Sequence, residues 1–510
     1  MNNDVIDSFP IGADWLQARA TASPSAVALM AGGRVYTYGQ LDELASRLCA
    51  NLLHENLMPG DHVGLLMPNA PAAVVAVFAL ARLGAVLVPL NTRLTPGEVA
   101  WQLQRADCPH LLCAESLAAT GREAAGERIP IHLLPVGGDA FAAWLAARPA
   151  YTTNGLPAER PPLQAIVFTS GTTGFPKGAM ITYANHFWSA VGSAFKLGIR
   201  PDDRWLACLP LYHVGGLAIL WRACLYGTAV ILHDGFRPAA ILDSLAHDGA
   251  TIVSLVPTML QRLLDAGLSA ATAPALRLIL LGGAAADPSL LAEAANAGLP
   301  VAVTYGLTET TSQVATMMPS DARAKPGSPG RPLLFTRVDV VDDDGRPAAA
   351  NTPGEIVVSG PTVMAGYYGD AEATAAVLRD GRLHTGDAGT LDDDGDLWLL
   401  DRRGDLIVSG GENVYPAEVE RVLRAHPAVA AACVVGLPHA EWGQQVAAMV
   451  VPKEQATLTE TELVAHCRRE LAGYKLPRHI AFVEALPLTG SGKVQRAAVA
   501  QLLAERRETA

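Results

Sequence analysis

Two habits of hydrophobic patterning divide the chain. In the first half, helical and extended stretches alternate. The spacing predicts a helix over 40–55, a short apolar strand over 61–67 closed by Pro68, a helix over 71–83 and a strand over 85–90. The same alternation returns as strand 229–232, helix 238–247, strand 251–255, helix 257–264 and strand 276–281. Strands alternating with helices imply βαβ units and parallel sheets. A stretch rich in Pro, Thr and Gly, 148–162, reads as a connector ahead of a β-like strand at 165–168. From Arg337 the habit changes. Short strands at 338–341 and 355–359 stand between acidic, Gly-containing turns, Asp342-Asp343-Asp344-Gly345 and Asp392-Asp393-Asp394-Gly395, which is antiparallel or barrel-like chemistry. After Asp401-Arg402-Arg403-Gly404-Asp405 a new pattern starts: helix 416–425, strand 430–436, helix 459–471. The expected fold is α/β. A large N-terminal domain, 1–402, holds βαβ-type sheets flanked by helices plus a small β-barrel-like part, and a smaller α+β domain occupies 403–510.

Composition narrows the function classes. A chain of 510 residues is too long for one compact core. With 50% apolar and 17% charged residues it is not disordered. A formal net charge of −12 argues against a nucleic-acid partner, so any anionic ligand needs a local positive site. The seven cysteines are odd in number and none form a C-x-x-C pair, which predicts reduced thiols and neither a disulfide framework nor a zinc site. Residues 1–10 lack the basic and apolar regions of a signal peptide. The most apolar stretch, 72–90, is interrupted by Arg82, Gly84 and Pro89 and reads as a buried helix followed by a strand rather than a membrane span. A soluble cytoplasmic protein is expected, with homodimer formation left open.

The clearest chemical signal is Thr169-Ser170-Gly171-Thr172-Thr173-Gly174-Phe175-Pro176-Lys177-Gly178, directly after a strand. Glycines let backbone N–H groups approach an anion, hydroxyls add donors and Lys177 adds charge, so the run suits a phosphate. It is not a Walker A loop, because Pro176 precedes the lysine and Gly178 follows it.

This run resembles the phosphate loop of the adenylate-forming superfamily: acyl-CoA synthetases, nonribosomal-peptide adenylation domains and firefly luciferase. Five further motifs follow in that family's order. They are Tyr305-Gly306-Leu307-Thr308-Glu309-Thr310, Leu383-His384-Thr385-Gly386-Asp387, the hinge Asp401-Arg402-Arg403-Gly404-Asp405, Ser409-Gly410-Gly411-Glu412-Asn413-Val414-Tyr415-Pro416 and Gly490-Ser491-Gly492-Lys493. The resemblance implies ATP, Mg²⁺ and coenzyme A as cofactor and co-substrates. It also implies a small C-terminal domain that turns about 402–405.

It assigns roles residue by residue. Thr169, Ser170, Gly171, Thr172, Thr173, Gly174 and Lys177 hold phosphate. Gly283, Gly306 and Thr308 join the nucleotide contacts, and the ring of Tyr305 stacks on adenine. Glu309 becomes the Mg²⁺ ligand, an oxygen donor suited to a hard cation. Asp387 accepts the ribose hydroxyls as charge-assisted bonds, though Gly-Asp pairs are also common in plain turns. Arg402 contacts the ribose–phosphate region. Lys493, on a loop flanked by glycine, neutralises charge at the α-phosphate, and one such donor is typically worth about 3 kcal/mol. Gly410 and Gly411 line the pantetheine tunnel. Gly404 departs from the Asp or Lys of many relatives, which keeps the hinge's conformational freedom and loses a side-chain contact.

The acyl site falls on Pro210-Leu211-Tyr212-His213-Val214-Gly215-Gly216-Leu217. Gly215 and Gly216 leave room there, and His213 either packs near the substrate carboxylate or is a satisfied core histidine. Arg222 lies in an otherwise apolar helix. A buried arginine needs an anion, supplied by a second substrate carboxylate or by an internal salt bridge, unless the side chain snorkels to water. Several stretches resemble 2-succinylbenzoate–CoA ligases of menaquinone synthesis, whose substrate is a dicarboxylate: Asn185-His186-Phe187-Trp188-Ser189-Ala190-Val191, Asp203-Arg204-Trp205-Leu206 and Thr308-Glu309-Thr310-Thr311-Ser312-Gln313. The resemblance aligns a basic residue with Arg222 and adds Ser312 and Gln313 as polar contacts. The alternatives are a CoA ligase for another aryl or medium-chain acid, and a stand-alone enzyme that loads a carrier protein. A non-catalytic relative would be expected to lose Lys493 or Glu309, and both are present.

Overall fold

A computed structural model describes residues 14–148, 162–169, 175–284, 286, 288–322, 324–342, 344–401, 406–453, 458–487 and 494–508. The chain forms two compact units. The first takes in the chain up to Thr92, Gln102–Phe168 and Gly178–Leu400. The second comprises Arg93–Trp101, Thr169–Lys177 and the chain from Asp401.

The βαβ pattern folds as expected. One eight-stranded sheet runs in the order Ser312–Met317, Val301–Leu307, Leu278–Leu281, Ile252–Leu255, Arg204–Ala207, Ala229–Leu232, Val27–Ala31, Arg34–Thr37. Its inner pairs are parallel and its two edge pairs antiparallel. A six-stranded sheet orders Ile131–Leu134, His110–Ala114, His62–Leu66, Val86–Pro89, Leu163–Thr169 and Lys177–Thr182. The buried helix Pro71–Leu83 begins with proline at its first turn and ends at Gly84, whose φ of 78° is the left-handed cap that glycine adopts without strain. Arg82 remains inside, because it bonds Asp14 Oδ2 at 2.5 Å and also pairs with Asp42.

The helix predicted over 40–55 runs Tyr38–His54, fixed by a capping box between Thr37 and Gln40. The strand predicted from 276 starts at Leu278. Arg277 just before it is drawn to Asp203 in a bidentate pair, with both contacts at 2.7 Å. The connector 148–162 lies almost wholly outside the described residues.

The antiparallel part is a five-stranded sheet built on Arg337–Val341, Gly354–Ser359 and Arg382–Leu391. Its acidic turn is neutralised by Lys325, whose Nζ lies 2.7, 2.8 and 2.5 Å from Asp392, Asp394 and Asp396.

In the second unit, Gly443–Pro452 pairs with Val429–His439, with Ile407–Ser409 and, in parallel, with His479–Phe482. The helices Pro416–Ala425, Glu460–Glu470 and Arg496–Glu508 accompany this sheet. Lys475, 3% exposed, bonds Glu418 Oε1 at 2.9 Å and Glu98 Oε1 at 2.6 Å. All seven cysteines are buried and free, and burial pushes the thiols of Cys108, Cys208, Cys224 and Cys467 up to about 12. Among the described residues, no helix is long and apolar enough to cross a membrane.

Candidate active site

The hairpin Val301–Leu307/Ser312–Met317 carries the second nucleotide motif. Its register shifts between Tyr305 and Gly306. A Cβ on Gly306 would lie 1.7 Å from the carbonyl oxygen of Ser312, so only glycine fits where the strands close. A single 3₁₀ turn, Thr308–Thr310, then lifts Glu309 out of the sheet. Thr311 and Ser312 follow in left-handed conformations, with φ of 52° and 89°.

Two carboxylates are thereby fixed, each by a tyrosine. The Tyr305 hydroxyl donates to Asp387 Oδ2 at 2.6 Å, which brings the predicted adenine and ribose residues together; both are buried. The Tyr367 hydroxyl donates to Glu309 Oε1 at 2.8 Å. Among the described residues the Tyr367 hydroxyl is the one hydrogen-bond donor to this carboxylate, so Oε2 is left as an oxygen donor for a hard cation and the site fits Mg²⁺. Around Asp387, Gly386 adopts a φ of 72° and its N–H donates to Glu355 Oε1 at 3.0 Å. The other oxygen of Glu355 bonds His384 Nδ1 at 2.8 Å.

The acyl segment leads into the helix Val214–Tyr226. His213 sits at its N-cap, half-buried, with its ring against Tyr212. A Cβ on Gly216 would lie 2.2 Å from the Pro210 carbonyl oxygen, so that glycine is required by the turn itself, whereas a Cβ on Gly215 would meet only Leu209 at 3.7 Å.

Arg222, on the same helix, is 2% exposed. Its Nη2 donates to Ser189 Oγ at 3.1 Å, and Ser189 Oγ donates to the Thr311 carbonyl at 2.7 Å. Its Nε has no partner, and among the described residues no carboxylate pairs with it. Burial lowers its pKa from the usual guanidinium range. Burial, with repulsion from Arg222, also brings His186 down to about 3 and keeps it neutral, its Nε2 2.9 Å from Gln164 Oε1. Gln313 is buried with Nε2 on Thr316 and Oε1 unpartnered; Ser312 is half-buried. Gly283 takes a φ of 83° after the strand Leu278–Leu281.

In the second unit, Thr169 Oγ1 reaches the Lys177 carbonyl at 3.4 Å. Gly410 and Gly411 form a two-residue hairpin with φ of 59° and 82°, a turn that glycine makes readily. Beside it lies a cavity of about 280 Å³ lined by Ser409, His439, Trp442, Gln445, Tyr474 and Arg478. Ser170, Gly171, Thr172, Thr173, Gly174, Arg402, Gly404 and Lys493 lie outside the described residues.

The motif reading missed Tyr367, Glu355 and the residues of that cavity other than Ser409. Each is a single polar or aromatic residue whose partner is distant in sequence. A local signal existed for Arg478 alone, as a basic residue near the C-terminal lysine motif.

Comparison with known proteins gives the class. The AMP-binding enzyme family matches residues 16–368, and the AMP-binding enzyme C-terminal domain matches residues 418–493, so the chain belongs to this family. A 2-succinylbenzoate–CoA ligase of Bacillus cereus is 41% identical over 502 residues, covering 96% of this chain and 99% of that protein. Among solved structures, a double mutant of the o-succinylbenzoate CoA synthetase of Bacillus subtilis, bound to its product analogue OSB-NCoA, matches with a TM-score of 0.89 at 37% identity, covering 95% of this chain and 97% of that one. The same Bacillus subtilis enzyme in complex with ATP and magnesium ion gives 0.72 at 36% identity, covering 96% and 99%.

Proposed function

We propose that this chain is an ATP-dependent acid–CoA ligase acting on 2-succinylbenzoate through an acyl-adenylate. A carboxylate is a poor acyl donor. When its oxygen attacks the α-phosphorus of ATP, a new O–P bond forms, pyrophosphate leaves, and the acid becomes a mixed anhydride. The thiolate of CoA then attacks the acyl carbon, and AMP leaves with the oxygen. Asp387, held by Tyr305, accepts the ribose hydroxyls. The segment from Thr169 to Lys177 cradles phosphate, Arg402 contacts the ribose–phosphate region, and Lys493 supplies positive charge at the α-phosphate. Bound Mg²⁺, which Glu309 would hold, offsets charge on the triphosphate. Gly410–Gly411 and the neighbouring cavity, with an indole, an imidazole and a guanidinium, suit CoA and its anionic nucleotide end. The boundary at 402–405 serves as the hinge between half-reactions, and the cytoplasm supplies the co-substrates.

One observation carries the substrate choice: Arg222 is a buried guanidinium for which the described residues supply no carboxylate. A buried unpaired charge is costly, and a second carboxylate on the substrate removes that cost. The shared ancestry with 2-succinylbenzoate–CoA ligases supports the same reading. The test supplies purified protein with MgATP, CoA and a panel of acids, and follows AMP and pyrophosphate. The expected result is the highest kcat/KM for 2-succinylbenzoate and a CoA thioester as product. A preference for a monocarboxylate would overturn the substrate. A need for a carrier-protein thiol in place of CoA would overturn the acceptor.

A further inference from the structure

Glu309 is joined to a loop that no motif marks. The Met364 N–H donates to the Glu309 carbonyl at 2.9 Å, and the Tyr367 hydroxyl donates to its carboxylate. The same loop ladders onto the strand that follows Lys177. Ala365 N bonds Met180 O at 3.0 Å, Met180 N bonds Gly366 O at 2.9 Å, and Tyr368 N bonds Gly178 O at 2.8 Å. Tyr367 itself is anchored through its N–H to Thr374 Oγ1 at 2.9 Å, and its ring is buried against Ala179, Met364 and Leu383. The hydroxyl therefore stands on a fixed base. One oxygen of a ligating carboxylate held by such a donor leaves only the other free, and outer partners of this kind orient a ligand toward its metal.

We propose that Tyr367 is a positioning residue for the metal of the nucleotide complex: it commits Glu309 to ligate through Oε2 alone. This rests on the reading of Glu309 as the Mg²⁺ ligand. Tyr367→Phe keeps the buried ring and removes only the donor. The experiment titrates Mn²⁺, read by electron paramagnetic resonance, into protein with a non-hydrolysable ATP analogue, for the wild type, Y367F, E309Q and the double variant.

The expected result is that Y367F weakens Mn²⁺ about ten-fold or more and that the double variant binds no worse than E309Q, because Tyr367 acts through Glu309. A Y367F titration that overlays the wild type overturns the proposal, as does a double variant whose losses multiply, since a packing role would add independently. If Y367F does not fold, the comparison of E309Q with Glu309→Asp decides. The shorter carboxylate, drawn away from the hydroxyl, is expected to bind Mn²⁺ nearly as weakly as E309Q, and wild-type affinity in E309D overturns the assignment. An E309Q titration equal to the wild type instead removes the underlying reading of Glu309 and leaves the ligase reaction to the pyrophosphate assay.

Discussion

Replacing Arg222 by Met keeps side-chain length and removes the charge. Truncating one member of a buried charged pair costs about 2–5 kcal/mol of binding, which predicts a fall of about 30-fold or more in kcat/KM for the dicarboxylate. KM for ATP should stay within about two-fold, since uniform loss at both substrates would mean a folding defect instead. Steady-state kinetics on the dicarboxylate and its monocarboxylate analogue check this; equal losses on the two would remove Arg222 from the acyl site. Its neighbour His186 sets a pH effect. The folded pKa of about 3 lies below the ordinary value of 6.5 because burial, then Arg222, disfavours the imidazolium. Below pH 6.5 the unfolded chain takes up a proton that the native chain refuses, so this group lowers stability as pH falls toward 3, by about 1.4 kcal/mol per pH unit. Urea unfolding between pH 7 and 5 should show a shallower decline in His186→Gln than in the wild type.

Elements whose ends carry chemical punctuation are the ones that sequence reading locates. Pro71 and Gly84 bracket one helix at both ends, and Thr459 with Glu462 caps another. Of the eight-stranded sheet, alternation predicts the strands at 229–232, 251–255 and 276–281, while the other five, including the hairpin that carries the Tyr305–Thr310 run, follow from no pattern read in the sequence. The Tyr367 contact, which joins residues 58 apart in sequence, follows from no local pattern, because nothing near Tyr367 distinguishes it from its neighbour Tyr368. The counterion problem at Arg222 is visible as a charge in an apolar helix, but that no described residue supplies it a carboxylate requires the packing. The hairpin also supplies a prediction. Gly306→Ala places a methyl group 1.7 Å from a backbone oxygen, so the strands must part. A loss of about 1–3 kcal/mol, typical of overpacking, is expected in thermal or urea unfolding, with ATP binding lost in step. A variant as stable as the wild type would mean that the hairpin closes differently.

At the scale of the molecule, the proposed mechanism divides the reaction between segments far apart in the chain. Lys493→Ala is expected to lose most adenylation, about 100-fold or more for one electrostatic donor, and to retain thioester formation from preformed adenylate. Rapid-quench measurement of each half-reaction checks this, and equal losses in both would refute the division of labour. Stability of the second unit depends on Lys475. Replacing it with Met leaves Glu418, whose pKa burial already raises, inside without its cation, and a cost of about 3–5 kcal/mol is expected in unfolding experiments. The seven cysteines offer a practical opening. With every native thiol buried, maleimide dyes find no reactive handle on the surface. Two cysteines introduced at solvent-facing positions, one on each side of residue 401, would take up a fluorophore pair selectively. Energy transfer between them would then report conformational traffic during turnover without first stripping the protein of its own cysteines.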